Sequence, residues 1–75
     1  MSKINFELTR GSDVLRDGMY LELSVSDTSS SRLVADVFYS DVTQEFFLTC
    51  YEENIPLEEV EKLISKARIL LPPVK

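Results

Sequence analysis

The stretch that most narrows what this chain can become lies near its C-terminus. In Ile55 to Leu71, IPLEEVEKLISKARILL, the residues Leu57, Val60, Leu63, Ile64, Ala67, Leu70 and Leu71 recur at spacings of three and four. They therefore share one stripe of a 3.6-residue helix, with Glu58, Glu59, Glu61, Lys62, Lys66 and Arg68 off it. Pro56 suits the first helical position, with Asn54 or Ile55 as the cap. Pro72 and Pro73 end the ladder and are expected to push Leu71 out of the α region. Glutamates early and cations late agree with the helix dipole. Ile69 alone projects to the far side.

One helix of this length cannot bury itself, so the other residues must supply its partner. Lys3 to Thr9 alternates, with Ile4, Phe6 and Leu8 on one face, and Met19 to Ser26 alternates again through Leu21, Leu23 and Val25. Asp17-Gly18 signals a two-residue hairpin turn pairing Arg16 with Met19 and Val14 with Leu21, and Gly11 and Gly18 both read as turn residues. A bulge at Gly11 would shift this register by one. Asp27 to Ser31, DTSSS, reads as a polar turn. Arg32 to Tyr39 and Gln44 to Tyr51 form a second hairpin around Ser40 to Thr43, pairing Val37 with Phe46, Ala35 with Leu48 and Leu33 with Cys50.

The order is β-β-β-β-α. The fold class is α+β: a four-stranded antiparallel meander with one C-terminal helix packed on one face, a single domain over residues 1–75. The expected helix-side core is Ile4, Phe6, Leu8, Leu21, Leu23, Val25, Leu33, Ala35, Val37, Phe46, Leu48 and Cys50 against the helical stripe. Each large side chain fully buried contributes roughly 1.5–3 kcal/mol, and in 75 residues that leaves little surplus over ordering entropy.

Composition removes several function classes. Net charge is −5, which argues against nucleic acid and against anionic membrane surfaces. No apolar run is long enough to span a bilayer, and MSKINFEL has no signal-peptide core. A lone cysteine in a chain without histidine allows no internal disulfide and no ordinary zinc site, and points to a cytoplasmic setting. Without histidine the serines lack a general base, and no Gly-x-Ser-x-Gly elbow occurs. Glu52 and Glu53 are neighbours with no fixed cleft between them. Cys50 reads as a buried, inert thiol. We expect no catalytic, cofactor or metal residues.

The pattern is less ordinary on the back of the last two strands. Val34, Phe38, Phe47 and Tyr51 would lie there with Asp36 among them, out of reach of the single helix. Asp36 is either a solvated charge guarding against edge aggregation or an anchor for a cationic side chain. Three readings of the cluster stand: scattered exposed apolars, the interface of a homodimer, or a docking site for a different protein or an apolar ligand. Acids also outnumber bases strongly before Ile55 but not after it, which allows steering toward a basic partner.

The run CYEENIPLEEVEKLISKARILLPP, Cys50 to Pro73, resembles the C-terminal end of small bacterial proteins carried on mobile gene cassettes. It is also similar to some bacterial toxin-immunity proteins: a strand, an acidic connection, Pro-Leu-Glu, an amphipathic helix, then Leu-Pro-Pro. That resemblance covers about a third of the chain. It implies a small, non-enzymatic cytoplasmic protein and carries over no catalytic residue. The expectation from sequence is a protein-binding homodimer using the back-face residues Val34, Asp36, Phe38, Phe47 and Tyr51. The alternative is an acidic inhibitor or immunity protein that neutralises a basic enzyme.

Overall fold

A computed structural model of the chain describes residues 5–27 and 30–72. Four strands, β1 (Asn5–Asp13), β2 (Gly18–Ser26), β3 (Ser31–Ser40) and β4 (Phe46–Cys50), precede one helix, α1 (Leu57–Leu70). The strands form one antiparallel sheet in the order β1-β2-β3-β4, and α1 lies against it. The expected α+β meander is the observed fold. Ile4, Thr28 and Ser29 of the DTSSS turn, and Pro73 lie outside the described residues.

The first and last hairpins turn where a polar side chain, Asp13 or Ser40, organises the backbone. In the first hairpin Asp13 pairs with Gly18 and residues 14–17 form the loop. The Asp13 carboxylate accepts the N–H of Leu15 at 3.1 Å and of Arg16 at 3.2 Å, and Asp17 takes the positive φ of 50°. Met19 therefore faces Ser12, and Leu21 faces Arg10, not Val14. No bulge occurs at Gly11. Both glycines are sites of close approach: a Cβ at Gly11 would enter the Tyr20 ring, and one at Gly18 would enter the Tyr39 carbonyl and the Phe38 ring.

Ser40 sets the second hairpin. Its carbonyl accepts Gln44 N–H at 2.8 Å, its hydroxyl accepts Thr43 N–H at 3.2 Å, and its own N–H donates to Glu45 at 3.0 Å. With Gln44 at φ 61°, the loop closes later than expected, and the pairs are Val37 with Leu48 and Ala35 with Cys50. The slip is a whole side-chain repeat, so the faces keep their identities. The two turns touch: Asp41 N–H donates to the Asp17 carbonyl at 2.9 Å.

The other departure is a bulge in β3. Leu23 faces Ala35 but Ser24 faces Leu33, which leaves Val34 as the extra residue. Val34 turns inward and is 3% exposed, while Leu33 moves out of the core. The core is Leu21, Leu23 and Val25 of β2 and Val34, Ala35, Val37 and Tyr39 of β3, closed by Leu63, Ala67 and Leu71. The helix thus buries a narrower stripe than its sequence offers, and Leu57, Ile64 and Leu70 stay open to solvent. Pro56 itself is the N-terminal cap, in place of the expected Asn54 or Ile55, so Leu57 and not Pro56 is the first helical residue, and the Pro56 carbonyl accepts Val60 N–H at 3.2 Å. Leu71 remains in the α region despite Pro72. Its N–H bonds to Ala67 at 3.0 Å and its side chain is buried, which together outweigh the pre-proline preference.

Candidate interaction surface

The register builds the back of the sheet in rows. Gly11, Tyr20, Phe38 and Phe47 stand opposite one another across all strands, and Thr9, Glu22, Asp36 and Thr49 form the next row. The missing side chains at Gly11 and Gly18 let the Tyr20 and Phe38 rings lie flat on the backbone. Arg16 then comes back from the first loop. Its guanidinium carbon stands 4.0 Å above the Phe38 ring while Nε bonds Asp13 Oδ2 at 2.6 Å. Hydrogen bonding from Arg16 holds the Asp13 carboxyl below its usual range against a smaller opposing effect of desolvation.

Of the five residues expected to form an interface, only part remains available there. Val34 is in the core because of the bulge. Phe38 is 7% exposed, closed over by Arg16 and its own seat on Gly18. Phe47 and Tyr51 are open, at 48% and 51% exposure. Asp36 accepts a hydrogen bond from the Tyr51 hydroxyl at 2.8 Å, so the acid is held beside an aromatic edge rather than standing alone. That bond, with desolvation and the charges of Asp36 and Glu22 behind it, raises the Tyr51 hydroxyl above its usual pKa of 10.0.

Sequence reasoning missed the other side of β4. Leu48 and Cys50 were assigned to the core, yet Leu48 is 50% exposed and the Cys50 thiol is exposed. The cause is the placement of α1 over β2 and β3, which leaves the front of the fourth strand uncovered. Phe46 is half-buried between the Tyr39 ring, 4.9 Å away, and Arg68, 5.5 Å away. Val37, Phe46, Leu48, Ile64 and Ala67 line an open groove of about 190 Å³ there, smaller than the roughly 300 Å³ at which small-molecule pockets begin. An apolar ligand is the poorer fit.

Apart from the exposed apolar groups of the loops and the helix, such as Val14, Leu15, Val42, Leu57 and Ile69, β4 exposes apolar side chains on both its faces, Phe47 on the back and Leu48 on the front. Phe46 to Cys50, FFLTC, has no charge, no proline and no glycine. Among the described residues, no group of three or more His, Cys, Asp or Glu side chains is placed to hold a metal, and no helix is long and apolar enough to cross a membrane. Comparison with protein-family models, curated proteins and solved structures returns no match. The likeness noted for residues 50–73 rests on those residues alone.

Proposed function

We propose that this chain is a non-enzymatic protein-binding module that works as a homodimer, with β4 at the contact. The observation that carries the reading is the uncharged edge strand whose side chains stay open on both faces. A second copy is the partner that brings the same uncovered strand, and two-fold dimers are the commonest small assemblies. Phe47 and Tyr51 are retained from the expected back-face set. Light scattering should give twice the chain mass for the unaltered protein and the single mass for Phe47→Asp. A single mass for both would defeat the reading. The setting we assign is the cytoplasm, where an exposed thiol with no partner in its own chain stays reduced.

A second reading is favoured by a different observation. Glu22 and Asp36 stand directly opposite on the back face, and Arg16 on Phe38 illustrates how a guanidinium settles onto that aromatic row. An acidic inhibitor of a basic enzyme would use this surface. It would co-purify with a cationic protein and release it near roughly 0.5 M salt, where screening falls to a few ångströms. Retention of the partner through that salt step would count against it.

A further inference from the structure

We infer that two copies join β4 to β4, antiparallel, about a two-fold axis through Leu48, so that their sheets become one continuous sheet with both helices on the same side. This rests on the homodimer reading above and gives it a geometry. The backbone selects the register. Ser40 N–H donates to the Glu45 carbonyl at 3.0 Å and Tyr51 N–H to the Val34 carbonyl at 2.7 Å. In an antiparallel ladder the N–H and C=O of one residue point the same way, and the direction alternates along the strand. Glu45, Phe47, Thr49 and Tyr51 therefore aim at β3, and Phe46, Leu48 and Cys50 aim at the free edge.

One self-pairing engages all of those outward groups in both copies: Leu48 opposite Leu48, and Phe46 opposite Cys50. A slide toward the turn brings in Gln44, whose φ of 61° is not extended. A slide toward the helix runs past Cys50, where the strand ends. The side chains agree with the backbone. Residues directly opposite share a face, so the two Leu48 side chains meet beside their grooves, and each Phe47 lies by Thr49 of the second copy. Among the described residues, α1 packs over β2 and β3 rather than over β4.

Charge agrees as well. The paired strands bring no like charges together, although each chain carries −5. Arg68 stays on the groove side against Phe46, and Glu52 keeps its ion pair with Arg32 of its own chain, 3.4 Å away.

The test is a cysteine placed on the axis. In a directly opposed, hydrogen-bonded pair the Cα atoms are about 5.5 Å apart, within disulfide reach. The native Cys50 residues would lie about 15 Å apart, four residues along the strand at roughly 3.4 Å each and one strand spacing across. Mild oxidation should therefore link the variant carrying Leu48→Cys and Cys50→Ser into a covalent dimer and leave the unaltered chain unlinked. Hydrogen exchange on the unaltered chain is a readout that needs no variant to fold: the amides of Phe46, Leu48 and Cys50 should gain at least about tenfold protection as concentration rises through the dimer transition. A dimeric mass with those amides unprotected, or with Cys50 cross-linking instead, overturns the geometry and leaves the homodimer standing. A chain that stays monomeric overturns both.

Discussion

The sheet has two edges, and they solve the same problem differently. β1 carries Glu7, Arg10 and Asp13 along its length, and the Arg10 guanidinium reaches the Leu70 carbonyl at the end of α1, 3.4 Å away. There a cation also meets the negative end of the helix dipole. Charges that hold water along an unpaired ladder discourage pairing with another strand. β4 has none of these devices. It is the shorter strand, it is charge-free, and the helix is displaced from it. A protein that guards one edge and leaves the other bare has one edge available for a partner. Both strands are nevertheless unlike the interior pair, β2 and β3, whose inward side chains are the sheet's share of the buried core against Leu63, Ala67 and Leu71.

That contrast is sharpened most by truncation. Leu23→Ala empties a fully buried site between strands and should cost about 2–5 kcal/mol in chemical denaturation. Leu8→Ala, its directly paired neighbour on β1, should cost under about 1 kcal/mol, because much of that side chain already meets water. Equal losses would mean that β1 is as much a part of the core as β2. The next effect compares the edges with a single substitution type. Thr9 and Thr49 are exposed and end the same cross-strand row, one on each edge. Thr49→Lys should weaken self-association by about tenfold, or roughly 1.4 kcal/mol, since it places a charge beside Phe47 of the second copy. Thr9→Lys should leave it unchanged. Sedimentation equilibrium on the pair separates the edges, and matched behaviour would remove the distinction drawn between them.

What could be read from the residues divides along the same line. Alternation and the helical stripe were enough for element order, faces and α+β class, because a strand's side-chain period survives any even slip in register. Register itself was not legible. Asp17-Gly18 has the composition of a tight turn, but Asp13 can accept two backbone N–H groups only if the loop is longer, and that capping decides the pairing. Val34 and Leu33 exchanged roles because a bulge adds a residue without leaving a compositional mark. The uncovered front of β4 depends on where α1 comes to rest, a choice made by Leu63, Ala67 and Leu71 fitting over β2 and β3. The exposed side of Phe47 and Tyr51 was visible in the sequence. The open side of Leu48 was not.

A smaller effect tests the back face near the guarded edge. Arg16→Gln removes the cation from the Phe38 ring and should cost about 0.5–1 kcal/mol, a typical exposed cation–π contribution. The Asp13 pairing has a pH sign of its own. A carboxyl held below its ordinary value of 3.8 adds stability that is in place above that pH and is lost as pH falls through the folded value. The dependence should be shallower in Arg16→Gln than in the unaltered chain. Identical acid limbs for the two would show that Arg16 does not hold the carboxylate in solution.

The smallest effect belongs to the bare edge. Tyr51 donates to Asp36 only while its hydroxyl is protonated, so folding raises its pKa above 10.0. The contribution is complete below the unfolded value and disappears as pH rises through the higher folded one. Asp36→Asn keeps an acceptor and removes the charge, so the Tyr51 resonance should titrate closer to 10.0, read by NMR on labelled tyrosine. If the Tyr51 titration does not move, the hydroxyl is not held by that carboxylate in solution. In that case the Tyr51 side chain beyond the strand end is freer than its 2.8 Å bond implies, while the outward groups of Phe46, Leu48 and Cys50 are unaffected.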